Sequence, residues 1–259
     1  MRRLAVAFLL STLPLLSVGT CDARAKWEGA LAAKGGREKL ESVRTFFWSG
    51  EMTWWQGLAR RKFLNQMLYV FPNFSWSYGE NGDPRLGKGA SHTYYDRGYS
   101  LRTEDLRRDF YESPIPKEPY ANELPVLLLE TPWMKPELKS CVVDDSKQEI
   151  VIAAVLLGLE YDFHFARNER LPSRIVVHDH DGAAHFVNTE WKLTDYRPSG
   201  AINLPAMLRK RAGPRDAPMV LNLKMRYEIN PEVPSALIDS DPTQTMGPDG
   251  WRKVRSSRK

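Results

Sequence analysis

Hydrophobic positions along this chain recur at two periods, and each change of period marks an element. From Lys26 to Val43 the residues Trp27, Ala30, Leu31, Leu40 and Val43 fall on one helical stripe. Gly35-Gly36 inside it predicts a bend or the end of a first helix. The period then becomes two. Phe46, Trp48, Gly50, Met52 and Trp54 alternate with Thr45, Phe47, Ser49, Glu51 and Thr53, which sets a bulky apolar face against a mostly polar one. Arg61 to Phe71 is aromatic-rich with a less regular alternation, and after Pro72 Phe74, Trp76 and Tyr78 alternate with Ser75 and Ser77.

The middle of the chain is looser. Asn81-Gly82-Asp83-Pro84 is a turn signal, and Thr93 to Thr103 predicts a hairpin turning at Asp96-Arg97-Gly98. Pro114, Pro116 and Pro119 interrupt regular structure, and Asn122 to Glu130 predicts a short helix stopped before Pro132. Strands return at Glu149–Leu157, whose nearly all-apolar run predicts burial on both faces. Leu159, Tyr161, Phe163 and Phe165 then alternate with Glu160, Asp162 and His164. Arg174–His178 and His185–Leu193 flank a turn at His180-Asp181-Gly182, and Met219 to Tyr227 forms a last half-buried strand. Asp239 to Lys259 carries prolines and charge without periodicity, which predicts a disordered basic tail.

These elements sum to about nine to eleven strands with a helix at the front and a short one in the middle. The class is mostly β (α+β): one large curved antiparallel sheet with helices against its concave face. No composition break splits residues 26–238, which form a single domain.

The beginning of the chain assigns a compartment. Arg2-Arg3, an apolar run from Leu4 to Leu16 and the small-x-small tripeptide Ala23-Arg24-Ala25 have the layout of a signal peptide over residues 1–25. The apolar run is too short for a lasting membrane span. The expectation is an exported protein of the periplasm or cell envelope whose mature form starts near Lys26. Val18-Gly19-Thr20-Cys21 also approximates a lipobox, so Cys21 is either a lipid-anchor site or part of a discarded leader. On both readings Cys141 is left as a lone thiol with no internal disulfide.

Charge narrows the partners. The formal net charge of +5 comes from the two ends, Arg2, Arg3 and Arg24 at one and Arg252, Lys253, Arg255, Arg258 and Lys259 at the other. The body between them is slightly acidic, so no basic patch for nucleic acid is expected. The basic tail is either a solvated end or a peripheral contact with anionic headgroups or a cell-wall polymer.

Several short motifs resemble a known family. Ala32-Ala33-Lys34-Gly35-Gly36, then Leu40, Val43 and a strand running to Gly50, resembles the opening of the LolA/LolB-like outer-membrane lipoprotein-sorting protein superfamily. Arg170-Leu171-Pro172-Ser173-Arg174-Ile175 resembles its recurring strand entry, and Thr194-Asp195-Tyr196-Arg197 with Gly200 and Leu204-Pro205 its aspartate-tyrosine segment. Ile229-Asn230-Pro231 and Val233-Pro234 resemble its closing stretch. The resemblance implies an open half-barrel with a helical lid over an apolar cavity that holds acyl chains. The Trp-dense first sheet and an insert around residues 80–120 depart from a minimal chaperone.

The candidate ligand-binding residues are Phe46, Trp48, Met52, Trp54, Phe74, Trp76, Tyr78, Tyr161, Phe163 and Phe165. They either line a cavity for a lipid, an acylated protein or another apolar ligand, or form a core filled by the protein's own helices. His178-Asp179-His180-Asp181 with His185, beside Glu160, Asp162 and His164, offers donors of a kind zinc accepts. The spacing departs from that of metallo-β-lactamase-type hydrolases, and the hairpin tip is read as polar surface. Cys141 lacks any activating neighbour and no G-x-S-x-G elbow is present, so no catalytic residue, metal or cofactor is assigned. The expected role is a non-enzymatic carrier. The alternative is a structural or interaction protein of the envelope, and a metal-dependent hydrolase stands third.

Overall fold

The computed structural model describes residues 19–56, 59–81, 87–104, 111–114, 123–178, 186–216 and 218–254. Among the described residues fourteen strands form a single sheet. They are β1 (Gly19–Thr20), β2 (Thr45–Gln56), β3 (Ala59–Val70), β4 (Phe74–Asn81), β5 (Lys88–Tyr94), β6 (Tyr99–Glu104) and β7 (Tyr111–Pro114), then β8 (Glu137–Asp144), β9 (Glu149–Leu156), β10 (Leu159–Ala166), β11 (Arg174–Val177), β12 (Phe186–Ser199), β13 (Ile202–Pro214) and β14 (Met219–Ile229). Their spatial order is β1-β8-β9-β10-β11-β12-β13-β14-β2-β3-β4-β5-β6-β7. The chain thus builds one half, crosses over, and closes β14 antiparallel onto β2, with Trp48 opposite Tyr227. Edge strands β1 and β7 do not pair with each other, so the sheet is an open half-barrel.

The strand count exceeds the sequence expectation for local reasons. β8 and β13 carry Lys, Arg and Pro on strands that the two-residue period alone does not reveal. The described part of the 80–120 insert consists of further strands, β5, β6 and β7, which widen the sheet. The hairpin turning at Asp96-Arg97-Gly98 is present, with Tyr94 opposite Tyr99 and Gly98 at φ 76°. β9 is a correction: its fully buried residues alternate with half-buried ones, so it is buried completely on one face only.

Helix α1 (Ala23–Lys34) starts earlier than the apolar stripe predicts, because the Asp22 carboxylate accepts from the Ala25 amide at 3.0 Å and caps it. It ends at Gly35, whose φ of 138° and close approach to the Ala201 carbonyl leave no room for a side chain. Helix α2 (Arg37–Glu41) follows, and α3 (Glu123–Leu128) falls where the sequence places a short helix. Among the described residues no helix is long and apolar enough to cross a membrane.

Two apolar clusters lie on opposite faces of the sheet. On the inner, helix-bearing face, Trp27, Ala30 and Leu31 of α1 and Leu124, Val126, Leu127 and Leu128 of α3 pack against Phe46, Trp48, Tyr161, Phe163, Phe165, Trp191 and Leu208. On the outer face of β2–β5, Phe47, Leu68, Phe74, Trp76, Tyr78 and Tyr94 lie under Leu237 and Trp251.

That second cluster corrects the expected disordered tail over residues 239–254; residues 255–259 lie outside the described residues. Residues 235–253 form three 3-10 turns that strap the outer face. Trp251 is fully buried, and Gly250 packs so tightly on Thr245 that a Cβ there would clash with backbone. His92, also fully buried, donates from Nδ1 to the Ser240 carbonyl at 3.1 Å and accepts at Nε2 from the Thr245 hydroxyl at 2.8 Å. Arg252 stacks 4.0 Å over Trp251 and bonds Glu228. Single apolar anchors on successive short turns hold this segment, and such anchors leave no periodic signature.

A second correction concerns sulfur. Cys21 and Cys141 form a disulfide with Cα atoms 5.1 Å apart, closing a separation of 120 residues. The expectation of a lone thiol followed from either discarding Cys21 with the leader or committing its sulfur to a lipid anchor.

Candidate functional site

The inner face is the surface on which the fold concentrates large side chains. Strand register explains its composition: Phe46, Trp48 and Met52 of β2 stand opposite Tyr69, Met67 and Phe63 of β3 on one side and Ile229, Tyr227 and Leu223 of β14 on the other. Gly50 between them makes space, because its missing Cβ lies 3.1 Å from Met225 Sδ and 3.5 Å from the Trp48 ring. Phe46 stacks on Tyr227 at 6.0 Å, Tyr161 on Phe163 at 5.9 Å, and Trp27 of α1 meets Phe163 edge-on at 4.9 Å.

Parity divides the ten predicted residues. Phe46, Trp48, Met52, Tyr161, Phe163 and Phe165 belong to the inner cluster. Phe74, Trp76 and Tyr78 belong to the outer cluster beneath the C-terminal strap. Trp54 lies in β2 opposite Leu221 and Arg61, and its side chain is outside the described residues. Because Trp76 pairs with Leu68 and Ser77 with Met67, it is the serines of β4 that face inward. Beyond β3 the inner face therefore turns to hydroxyls: Ser77 and Ser91 are bonded at 2.7 Å, Thr93 and Ser100 at 3.2 Å, and Ser75 meets the Tyr95 hydroxyl at 2.9 Å.

The inner aromatics are covered in this conformation. Phe46, Phe163 and Phe165 are 0 % exposed and Trp48 is 3 % exposed. An ion cluster holds the cover: Trp27 Nε1 donates to the buried Glu130 carboxylate at 3.1 Å, and Arg37 joins Glu130 to Glu28. Lys210 of β13 reaches Glu123 at the start of α3 while lying 4.7 Å over the Trp191 ring.

Three buried donors under this cover, Lys34 Nζ, Trp48 Nε1 and Trp191 Nε1, have no acceptor among the described residues. A buried donor without a partner costs about 1–3 kcal/mol, and more when charged. Lys34 is completely buried at the end of α1, its ammonium 5.2 Å over the Tyr196 ring, and burial lowers its pKa from 10.5 to about 7. The helical stripe 27, 30, 31 continues to 34, so the buried position of this lysine was readable from the spacing of α1.

Clefts open on both faces of the sheet. One, of about 700 Å³, lies mainly on the outer face, where Glu51, Lys62, Leu64, Glu80 and Lys224 share the parity of Phe47; of the nine candidates whose side chains are described it takes in Met52 alone. A second, also about 700 Å³, lies at the base of α1 between the disulfide, Trp27, Arg37 and Glu130. A third, about 350 Å³, runs along Ser77, Ser91 and Arg102 of the hydroxyl-bearing strip.

The histidine–carboxylate residues separate into two pairs. Asn188 donates to His178 Nδ1 at 2.9 Å, and His178 Nε2 donates to Asp162 at 2.9 Å. His164 meets Glu149 at 3.1 Å and Arg174 at 2.8 Å; burial, then the Arg174 charge, lowers its pKa. Among the described residues no three His, Cys, Asp or Glu side chains are grouped to hold a metal. Asp179, His180, Asp181 and His185 lie outside the described residues. Cys141, as half of a disulfide, presents no thiolate.

No family model matches the sequence, and no curated protein matches it. Solved structures do match the fold. A domain from Vibrio parahaemolyticus named for outer membrane lipoprotein sorting superposes with a TM-score of 0.51 at 11% identity, covering 84% of this chain and 97% of that one. A LolA superfamily protein from Nitrosomonas europaea gives 0.54 at 9% identity, with 83% and 96% covered. A DUF1329 family protein from Desulfovibrio piger gives 0.51 at 10% identity over the same shares. At these identities the likeness speaks for architecture alone. The open antiparallel sheet with helices on its inner face is a LolA-like fold.

Proposed function

We propose that this protein is a non-enzymatic carrier of the cell envelope, exported to the periplasm or a membrane surface, that holds a lipid, an acylated protein or another apolar ligand. The ligand lies against Phe46, Trp48, Met52, Phe163 and Phe165 of the inner face, and α1 and α3 move to admit it. The observation that carries this reading is the cover itself. It consists of two short helices, of 12 and 6 residues, over an aromatic surface that keeps buried donors without acceptors. Ester, phosphate or carboxylate oxygens of an amphiphile would satisfy those donors, and burial of its chains contributes about 25 cal/mol per Å². The names of the Vibrio and Nitrosomonas neighbours attach lipoprotein sorting and the LolA superfamily to the same architecture.

A second reading is favoured by one observation: the inner aromatics are already covered by the protein's own helices. On that reading the domain is a structural or interaction protein with a self-filled core. Native mass spectrometry of protein purified from envelope fractions separates the two. An adduct of lipid size that organic solvent removes supports the carrier. A clean apo mass, with no gain on incubation with phospholipid or a lipopeptide, refutes it.

A further inference from the structure

We infer that the mature protein keeps Cys21: the leader is cut upstream of it, after Gly19, and Cys21 is retained as the disulfide partner of Cys141. Five contacts depend on residues that a cut after Ala25 would remove. The disulfide joins Cys21 to Cys141 on β8, and beside it the Cys21 amide donates to the Cys141 carbonyl at 3.4 Å. Thr20 pairs with Val142, adding a strand to the edge of the sheet. Asp22 caps α1 through its side chain, and its carbonyl accepts from the Lys26 amide at 3.0 Å.

A cut after Ala25 also removes Ala23, Arg24 and Ala25, a quarter of the 12 residues of α1. It would leave the 6 % exposed Cys141 sulfur facing the gap where Cys21 packs. A leader peptide is discarded and has no reason to complete the native core. Residues from Cys21 onward complete it, so they belong to the mature domain.

The sequence offers the matching processing site. Ser17-Val18-Gly19 has small residues at the third and first positions before the cut and follows directly on the apolar run that ends at Leu16. Of the described contacts, cleavage there loses the Gly19–Val143 pairing of β1 alone. The disulfide also decides between the two fates of Cys21. A sulfur bonded to Cys141 cannot carry the thioether of a lipid anchor, so the lipobox-like Val18-Gly19-Thr20-Cys21 does not function as one. Disulfide formation here oxidises two thiols to one S–S bond, releasing two electrons and two protons to an exported thiol oxidase. It therefore requires an oxidising compartment.

The test is intact-mass analysis with N-terminal sequencing of the full precursor expressed with export in a Gram-negative host. The protein is denatured and alkylated with iodoacetamide, with and without prior reduction. A mature chain beginning at Thr20 that takes up label on two cysteines only after reduction is the expected result. A chain beginning at Lys26 with one freely labelled cysteine would overturn the inference, as would a diacylglyceryl mass on Cys21. A Cys141→Ser precursor gives a second reading. The retained Cys21 then labels without reductant, whereas a chain with no cysteine left shows that Cys21 was discarded.

Discussion

Replacing Lys34 with Met should stabilise this protein at neutral and acid pH, the reverse of what loss of a fully buried side chain normally does. Lys34 has no exposed surface, and among the described residues it meets no carboxylate and no hydrogen-bond acceptor, while its ammonium lies over the face of Tyr196. Its pKa falls from 10.5 in the unfolded chain to about 7 in the folded one because burial disfavours the ammonium. At about 1.4 kcal/mol per unit, the full penalty of holding it charged in the fold is on the order of 5 kcal/mol. The sign follows from linkage. Between pH 7 and 10.5 the unfolded state binds the proton more tightly, so the stability of the wild type rises with pH across that window. Below about pH 7 both states carry the proton, and the penalty is present in full.

Methionine keeps the length of the chain and places no charge in the site, so Lys34→Met removes the slope and the penalty together. Tyr196 and Tyr227, whose pKa values burial raises, oppose the trend only as the unfolded tyrosines begin to ionise near pH 10. The difference between wild type and variant cancels their contribution. Urea unfolding followed by tryptophan fluorescence between about pH 6 and pH 9 measures both curves. The variant should gain about 5 kcal/mol at the acid end, and the gap should narrow to about 2 kcal/mol by pH 9 on its way to closing near pH 10.5. Parallel curves, or a variant less stable at every pH, would refute the claim that this amine is buried without compensation.

Three further outcomes follow from the two faces of the sheet. Trp48→Ala and Trp76→Ala should each cost about 3–5 kcal/mol in unfolding free energy. Only Trp48→Ala should weaken retention of phospholipid or lipopeptide, since Trp76 lies under the strap; equal loss of binding in both would place the ligand elsewhere. Trp251→Ala should detach residues 235–254, read as faster proteolysis of the C-terminal segment and increased binding of an apolar dye to the bared outer cluster; unchanged proteolysis would mean the strap is not held by that ring. His92 is held neutral by burial, its pKa lowered from 6.5 to about 4 against weaker opposing effects of the Ser240 carbonyl and Asp241. Its depressed value means stability is complete above pH 6.5 and declines by about 3 kcal/mol on the way to pH 4. His92→Gln should flatten that acid limb of the stability profile, and an unaltered limb would assign it to other groups.

What the sequence disclosed and what it concealed have one physical origin. A two-residue alternation states that two faces differ, and it did so correctly for Phe74, Trp76 and Tyr78 against Ser75 and Ser77. It carries no information on which face meets which partner, because that is decided by strands and segments distant in the chain. On β2 the larger apolar set meets α1 and α3, while the same kind of set on β4 meets Leu237 and Trp251, about 160–175 residues later. Phe47, set among polar residues on β2, was the local sign that this opposite face is also covered. Lys34 was legible by helical spacing and obscured by its charge, since a lysine on an apolar stripe reads as the end of the stripe. The disulfide was hidden by an assumption about the compartment boundary. Once residues up to Ala25 are assigned to a leader, Cys141 has nothing to pair with, whatever the spacing. An apolar stripe on α1 can be read from Trp27, Ala30 and Leu31, but the cover it forms depends on Asp22 and Cys21 just before it. If the mature chain keeps Cys21, its boundary and the stability of the helical cover are one question, because the Cys21–Cys141 bond sits at both.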